Sequence, residues 1–334
     1  MQLACVLQSA MHGVIYKVFV CCLVYAFALL VQPAASQLLG GNDFYASSCP
    51  NVESIVRNVA RASFSQDATA PAAMCRLAFH DCQVNGCDAS ILLDSGSDGT
   101  AELQAPANLG IRRLDIIDNA KQQVEAQCPG TVSCADILAM VARDAVAFAG
   151  GPDIRIPLGR LDGFDTSANL AQSTLPPPSS SADNVLALFG GMGMDPEESV
   201  AILGSHTLGV AHCTNFADRL YPVPDPRLTV LMASALQARC PAGAFSNDAT
   251  ANLDTSAVTF DNSYFSNLVN GRGLLDVDAN LATDPATASI VLNFANNQDA
   301  FFAAFSSAFV KLTSFRVLSG PQGEVRLNCH FSNS

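Results

Sequence analysis

Residues 76–93 of this 334-residue chain read RLAFHDCQVNGCDASILL and bring an arginine, a histidine, two aspartates and two cysteines into one short stretch. Arg76 and His80 are four positions apart, so they would share one face of a helix. The neutral imidazole can take a proton from a small ligand, and the neighbouring cation can stabilise the negative charge that develops on that ligand. The alternative interpretation is an arginine and a histidine on a partly solvated helix face.

Oxygen ligands follow this pair. Asp81, Asp88 and Ser90 offer side-chain oxygens, and Val84 and Gly86 offer carbonyl oxygens. Two carboxylates with neutral oxygens suit Ca²⁺, which takes roughly six to eight such ligands. The pattern predicts a calcium loop, with an acidic surface turn as the alternative.

The cysteines predict disulfide bonds. Twelve Cys are present, and nine of them follow residue 36, an odd number that leaves at least one unpaired unless it bridges another chain. Cys82 and Cys87 are close enough to close a small loop, whereas spacing alone does not decide the other pairs. Zinc is the competing interpretation, but the chain has no CxxC…CxxC pattern.

The first 36 residues have the pattern of a secretory signal. Lys17 precedes an apolar run at 18–31, and small residues follow up to Ser36, which predicts a signal peptide at 1–36 and a mature chain at 37–334. A membrane anchor is the alternative, but the run is shorter than the ~20 residues that a spanning helix needs.

Composition excludes several classes of protein. With 49% apolar and 14% charged residues, the chain can bury a core and is not disordered. It has 17 Lys+Arg against 30 Asp+Glu and a net charge of −13. This balance disfavours nucleic acid and anionic membrane surfaces as partners, because both select for an excess of basic residues.

Apolar residues recur with helical spacing at 52–59, 134–148 and 298–313. The stretch 195–198, DPEE, combines a capping residue, an early proline and a glutamate at the third position, and predicts a helix that runs toward His206.

Two short segments, 154–156 and 324–327, are predicted strands. A proline-rich loop at 175–181 separates two helical halves and ends at a predicted helix cap. Many helices and few strands indicate an all-α domain with two lobes.

With these motifs in place, the chain resembles the class III secretory plant haem peroxidases. Residues 76–93 resemble the distal motif of that family, and further motifs follow in the family's order through most of the mature chain. They are Asn42–Tyr45, Ser48–Pro50, Cys128–Asp144, Gly150–Pro152, Leu158–Gly163, Leu203–Gly209, Phe260–Asn262 and Gly273–Asp278. The resemblance implies an all-α, two-lobed fold with haem b between the lobes, and two Ca²⁺.

The resemblance also implies roles on the distal side. His80 matches the base, Arg76 the cation, and Phe79 the ring that crowds the haem face. Asn108 matches the residue that holds the distal imidazole, and Glu102 the residue that links this network to the distal calcium. His80 would take a proton from hydrogen peroxide and return it to the leaving oxygen.

On the proximal side, His206 matches the haem axial ligand and Asp278 the carboxylate that takes its other ring proton. Pro176 matches the proline near the exposed haem edge, where phenolic donors are oxidised. The implied distal calcium ligands are Asp81, Val84, Gly86, Asp88 and Ser90. The implied proximal calcium ligands are Thr207, Asp254, Ser256, Thr259 and Asp261.

The implied disulfides are Cys49–Cys128, Cys82–Cys87, Cys134–Cys329 and Cys213–Cys240. Cys75 is then the odd thiol, and we expect it to act as a small buried hydrophobe. Asp136 and Arg160 match a buried ion pair of the family.

Several residues depart from the family pattern or match no role in it. Asn215 and Ser179 replace aromatic rings of some relatives, so an aromatic donor would be held less tightly. The loop 254–261 is one residue shorter than usual, which leaves Thr255 as an alternative to Ser256. His212 and His330 match no role and are assigned to the surface or the framework, and Arg112 and Arg113 are expected to be solvated.

The resemblance further implies a secreted monomer of the apoplast, cell wall or vacuole, with the activity EC 1.11.1.7. Its roles would be cell-wall phenolic cross-linking, peroxide removal and the oxidative stress response. The alternatives are a haem and calcium protein with little turnover, and a calcium-dependent binding protein without haem. An ascorbate-type intracellular peroxidase is disfavoured by the signal and the cysteines.

Overall fold

The computed structural model describes residues 39–41, 43–243 and 249–333. The chain divides into two units, Met1–Leu38 and Leu39–Ser334, and the description below concerns the second. The signal peptide predicted for residues 1–36 lies outside the described residues. Within them, no helix combines the length and the apolar character needed to cross a membrane.

Helices dominate the described residues, with twelve α-helices and one two-stranded sheet. The helices are α1 (Val52–Gln66), α2 (Ala70–Val84), α3 (Asp115–Gln127), α4 (Cys134–Phe148), α5 (Ala168–Thr174), α6 (Ala182–Gly190), α7 (Pro196–Leu203), α8 (Val230–Arg239), α9 (Ser263–Val269), α10 (Asp276–Thr283), α11 (Ala288–Asn296) and α12 (Gln298–Thr313). Strands β1 (Val210–His212) and β2 (Thr250–Asn252) pair antiparallel, with Val210 opposite Asn252.

The predicted helices are confirmed. The helices α4 and α12 have the predicted bounds, and α7 follows the predicted cap at Asp195. The Ser133 side chain starts α4 by accepting from the Asp136 amide at 3.1 Å, and Gly150, with φ +101°, follows its end. Local capping and apolar spacing therefore determine these elements.

The two predicted strands are wrong. Residues 154–156 form no ladder with any other described segment, although Ile154 and Ile156 are buried. Glu324 forms only an isolated bridge with Asp162. Alternating apolar residues indicate an extended segment, but a strand also requires a neighbour to pair with, which local sequence does not report.

A cluster of phenylalanines packs against the segment that carries His206. Phe301 stacks on Phe260 with ring centroids 5.5 Å apart. A Cβ on Gly204 would lie 2.4 Å from the Phe301 ring, so only glycine allows this close approach. The cluster thereby fixes the backbone two residues before His206.

Among the described residues four disulfides are formed, and they are the four pairs that the resemblance implies. They are Cys49–Cys128, Cys82–Cys87, Cys134–Cys329 and Cys213–Cys240. Cys75 remains a free thiol. Burial raises the pKa of this thiol to about 12, which makes it a poor nucleophile and fits the expected role as a small hydrophobe.

Candidate active site

Arg76 and His80 lie on α2 and contact each other. The Arg76 Nε donates to the His80 Nε2 at 3.2 Å. The other two guanidinium nitrogens donate to the carbonyls of Leu109 and Ala107 at 2.9 and 3.1 Å. The arginine is therefore held by three hydrogen bonds, and the alternative of a solvated helix face does not describe it.

Asn108 holds the other side of the imidazole. Its Oδ1 lies 2.5 Å from the His80 Nδ1, and its Nδ2 donates to the backbone carbonyl of Glu102 at 2.6 Å. Because the amide nitrogen is engaged with a carbonyl, the amide oxygen must accept from Nδ1–H. The lone pair of the neutral ring is then on Nε2, beside Arg76.

Burial, together with the charge of Arg76, lowers the pKa of His80 to about 3. The imidazole is therefore neutral over the ordinary pH range, and its Nε2 can accept a proton. A proton taken there is also readily released, because the charged form is disfavoured. Such a group can accept a proton and release it again within one reaction.

His206 lies in a short 3₁₀ turn, Gly204–Thr207, that continues from α7. Its Nδ1 lies 2.9 Å from Asp278 Oδ1, and Asp278 is almost fully buried in the first turn of α10. With Nδ1 donating to this carboxylate, the Nε2 lone pair is free for a metal. A neutral histidine oriented by a carboxylate is a common arrangement for a metal ligand.

Two residues around Asp278 were missed in the sequence analysis. Tyr264 donates its hydroxyl to Asp278 Oδ1 at 2.8 Å. Arg219 donates to the carbonyls of Gly273, Leu274 and Leu275, which precede α10. Tyr264 stands three residues after Asp261, just beyond the quoted Phe260–Asn262 motif, but no local pattern predicts that its hydroxyl reaches residue 278.

An acidic cluster lies next to the distal pair. Burial, and then the charges of Asp88 and Glu102, raise the pKa of Asp81 well above its ordinary value. Burial likewise raises the pKa of Asp88, and that of Glu102 to about 8. The Asp81 Oδ1, the Ser90 Oγ and both Glu102 carboxylate oxygens are buried and have no hydrogen-bond partner in the described part of the chain. A bound cation would offset the repulsion between these carboxylates and give their oxygens a partner.

A second oxygen cluster surrounds Thr207. The Thr207 Oγ1 donates to Asp254 Oδ2 at 2.7 Å and lies 3.3 Å from Asp261 Oδ1 and 3.5 Å from the Thr259 carbonyl. Ser256 Oγ donates to Asp261 Oδ1 at 2.9 Å. These contacts bring together all five residues predicted for the proximal calcium, and burial raises the pKa of Asp254.

Ser256 faces this cluster, whereas the alternative, Thr255, is exposed. Among the described residues, no three His, Cys, Asp or Glu side chains converge as a ready-made metal site. This agrees with the proximal ligand set, in which hydroxyl and carbonyl oxygens outnumber carboxylates. At the distal set, the shared charge and the unpartnered oxygens are the better guide, because carbonyl and hydroxyl oxygens are not among these side-chain types.

Phe79 and Pro176 are both partly exposed. The Phe79 ring lies edge-on to His80, with centroids 5.7 Å apart, and packs near Phe189 of α6. Phe79 therefore packs beside the distal base, and its place at the haem face stays a prediction.

Three residues without a predicted site role are placed in the framework. The two ring nitrogens of His330 lie 2.8 and 3.1 Å from Asp94 and Asp118. Arg112 is exposed, as expected, whereas Arg113 is partly buried; both pair with Asp67, at 3.3 and 2.6 Å. Local sequence did not predict these partners, because Asp67 is distant along the chain.

The buried pair Asp136 and Arg160 is formed at 2.7 Å with both side chains fully buried. His212, at the end of β1, has a buried Nδ1 that no other described residue contacts by a hydrogen bond. A Cβ on Gly110 would lie 2.9 Å from its Nε2.

An all-α fold that presents an arginine–histidine pair and a separate histidine–aspartate pair, with an oxygen cluster next to each histidine, is typical of haem enzymes that act on peroxide. Comparison with known proteins agrees. The profile of the family described as Peroxidase matches residues 56–297.

Several plant proteins named as peroxidases are similar to this chain over most of its length. It is 42% identical to Peroxidase 28 of Arabidopsis thaliana, over 87% of this chain and 92% of that one. It is 42% identical to Cationic peroxidase SPC4 of Sorghum bicolor, over 87% and 82%, and 40% identical to Peroxidase 4 of Vitis vinifera, over 90% and 94%.

The chain therefore belongs to the peroxidase family. The resemblance to the plant class III branch, and with it the all-α, two-lobed fold class, is confirmed.

Proposed function

We propose that this protein is a secreted haem peroxidase of the type EC 1.11.1.7, which reduces hydrogen peroxide to two waters while two phenolic donors each lose one electron and one proton. The observation that carries this proposal is the His80 imidazole, held neutral with its Nε2 lone pair beside the Arg76 guanidinium. This geometry supports proton transfer and charge stabilisation at a single point.

The proximal pair fits haem b. His206 has a free Nε2 and a buried carboxylate on its Nδ1, so it would hold the iron as axial ligand. When bound, haem would supply the iron centre at which the peroxide bond breaks and from which the donors are oxidised. By accepting a hydrogen bond from Nδ1–H, Asp278 makes the imidazole a stronger electron donor to the metal.

On the distal side, His80 accepts the proton of the attacking peroxide oxygen at Nε2 and delivers it to the leaving oxygen. Asn108 keeps the other ring nitrogen protonated, so that Nε2 is the atom that receives the proton. Arg76 faces the same point and stabilises the negative charge that develops as the oxygens separate. Its bonds to two backbone carbonyls fix the guanidinium before substrate arrives.

Two Ca²⁺ would be held by the oxygen clusters. The distal ion would be bound by Asp81, Val84, Gly86, Asp88 and Ser90. The proximal ion would be bound by Thr207, Asp254, Ser256, Thr259 and Asp261. Support comes from the unpartnered buried oxygens of the first set and the short contacts within the second. Glu102 connects the distal cluster to Asn108 through its backbone carbonyl.

Small phenols are the proposed donors, oxidised near Phe79 and Pro176. Partial exposure of both residues supports access from solvent. We infer removal of the segment 1–36, an extracellular destination in the apoplast, cell wall or vacuole, and a monomer. Four disulfides support an oxidising compartment. Roles in phenolic cross-linking, peroxide removal and the response to oxidative stress would follow from this chemistry.

The test is the absorbance spectrum of the calcium-loaded holoprotein before and after hydrogen peroxide, and again after a phenol. We expect a Soret band that falls and shifts with peroxide and recovers with the phenol. A Soret band that ignores peroxide would contradict the activity and favour a haem-binding protein with little turnover. The absence of any Soret band after reconstitution would overturn the assignment of His206.

A further inference from the structure

One oxygen of Asp278 serves two donors. Asp278 Oδ1 lies 2.9 Å from the His206 Nδ1 and accepts the Tyr264 hydroxyl at 2.8 Å. The tyrosine and the histidine therefore compete for the same carboxylate oxygen.

Tyr264 is enclosed at this position. It is 1% exposed, and its ring lies edge-on to the His206 imidazole, with centroids 6.0 Å apart. Phe265 packs on it at 4.9 Å. Asp278 is the only partner of the Tyr264 hydroxyl among the described residues, and burial excludes water as a replacement.

The carboxylate is also held from its other side. Asp278 Oδ2 accepts the Leu275 amide at 3.4 Å, in the first turn of α10. Arg219 donates to the Leu275 carbonyl at 3.0 Å and to the two carbonyls before it. Because this backbone is fixed, the shared use of Oδ1 is built into the fold.

We propose that Tyr264 is a positioning residue that weakens the pull of Asp278 on His206 and so sets how electron-rich the axial histidine is. A hydrogen bond to a carboxylate stabilises its charge and makes it a weaker acceptor for a second donor. A weaker acceptor leaves more of the shared proton on the His206 Nδ1, so the imidazole is a less electron-rich ligand. This inference rests on the proposed function, in which His206 holds haem iron.

The test is the Tyr264→Phe variant, which removes the hydroxyl and keeps the ring. In the calcium-loaded holoprotein we expect the ferric–ferrous midpoint potential to become more negative. The iron–histidine stretching frequency of the ferrous protein should rise. Both changes reflect a stronger pull on His206, whereas mere loosening of the site would lower that frequency.

Two variants provide controls. Tyr45→Phe removes another buried hydroxyl, which donates to Asp136 at 2.7 Å and does not contact His206. This variant should leave the midpoint potential and the stretching frequency unchanged. Asp278→Asn replaces the carboxylate by a weaker acceptor and should shift both quantities in the direction opposite to Tyr264→Phe.

The outcomes separate this inference from the proposed function. If Asp278→Asn shifts both readouts but Tyr264→Phe shifts neither, or shifts them the same way as Asp278→Asn, the role of Tyr264 is overturned and the proximal pair stands. If Asp278→Asn has no effect, the proximal pair itself is wrong.

A second measurement applies if Tyr264→Phe does not fold. Every tyrosine of the protein can be replaced by difluorotyrosine, whose more acidic hydroxyl is a stronger donor. This protein should have a more positive midpoint potential than the unlabelled one, and an unchanged or more negative potential would overturn the inference.

Discussion

At the scale of single residues, Asn108 determines which nitrogen of His80 carries the proton. Its Oδ1 is 2.5 Å from Nδ1, and its own amide is held by the Glu102 carbonyl at 2.6 Å. Without this acceptor, the buried imidazole could place its proton on Nε2 instead. The lone pair would then point away from Arg76, and the base would be lost without loss of the histidine.

We therefore expect Asn108→Leu to slow the reaction with hydrogen peroxide about tenfold or more, because part of the general-base contribution is lost. Haem binding should remain, since His206 is untouched. Stopped-flow measurement of the Soret change under excess peroxide gives the rate.

Asn108→Asp is the matched variant, because it keeps an acceptor for Nδ1–H. A carboxylate would raise the pKa of His80 from its low value by stabilising the imidazolium. Activity should then be lost at a higher pH on the acid side than in the parent protein. An unchanged rate in Asn108→Leu would show that the tautomer is fixed by something else.

The residues nearest the chemistry were predictable from sequence, whereas those that support them were not. Arg76 and His80 are four positions apart, so helical geometry brings them together. Tyr264 and Arg219 reach the segment 273–278 only through the packing of separate elements. Local patterns report neighbours along the chain, and these contacts depend on tertiary structure.

At the scale of elements, α7 and its 3₁₀ extension carry His206 into the site. The start of α7 is a capping box in which Asp195 accepts the Glu198 amide at 2.8 Å and Glu198 accepts the Asp195 amide at 2.8 Å. Glu198 also pairs with Lys311 of α12 at 2.6 Å. The first turn of α7 is therefore held both by its own capping box and by an ion pair with α12.

Asp195→Ala should lower the free energy of unfolding by about 1 kcal/mol, because a helix cap is lost. The expected decrease in melting temperature is about 2 °C, measured by calorimetry or circular dichroism. Asp195→Asn retains a capping oxygen and should keep most of the stability. Equal losses in the two variants would show that charge, not the cap, supports this turn.

Helix positions were predictable because their determinants are local. The cap at Asp195, the cap at Ser133 and the glycines after α4 are all read directly from sequence. The strands were not predictable for the opposite reason. β1 and β2 pair residues about forty positions apart, and neither has an alternating apolar pattern.

At the scale of the whole molecule, His330 ties the C-terminal segment to two distant parts of the chain. Its ring nitrogens lie 2.8 Å from Asp94, in a loop, and 3.1 Å from Asp118 of α3. The adjacent Cys329 is bonded to Cys134 of α4. Partial burial alone would lower the pKa of His330, but its two carboxylate partners outweigh burial and raise the pKa above 6.5.

A histidine with a raised pKa binds its proton more tightly when the protein is folded. The stability that it adds is therefore fully present below about pH 6.5 and is lost as the pH rises through the folded-state pKa. We expect His330→Gln to lower the melting temperature at pH 5–6 and to have little effect near pH 9. The contribution is about 1 kcal/mol or less, since the site is partly exposed.

Thermal melts of the two proteins across this pH range give the measurement. Asp118→Asn should show the same trend with a smaller amplitude, because one of the two carboxylates remains. A difference between His330→Gln and the parent protein that does not vary with pH would contradict the ionic role of His330.

The helical pattern alone indicated an all-α domain with two lobes, whereas the disulfide pairing of the molecule was predictable only through the family resemblance. Nine cysteines after residue 36 allow many pairings, and spacing alone indicated only the Cys82–Cys87 loop. The partners of His330 and Arg113 are brought together by the folded chain rather than by any motif.

The most direct test of the central claim is the rate at which His80→Ala holoprotein reacts with hydrogen peroxide in a stopped-flow instrument. His330→Ala serves as the control for loss of a histidine. We predict a rate reduced by about 10²- to 10⁴-fold in His80→Ala, with haem retained, and a normal rate in His330→Ala. A near-normal rate in His80→Ala would contradict the assignment of His80 as the base.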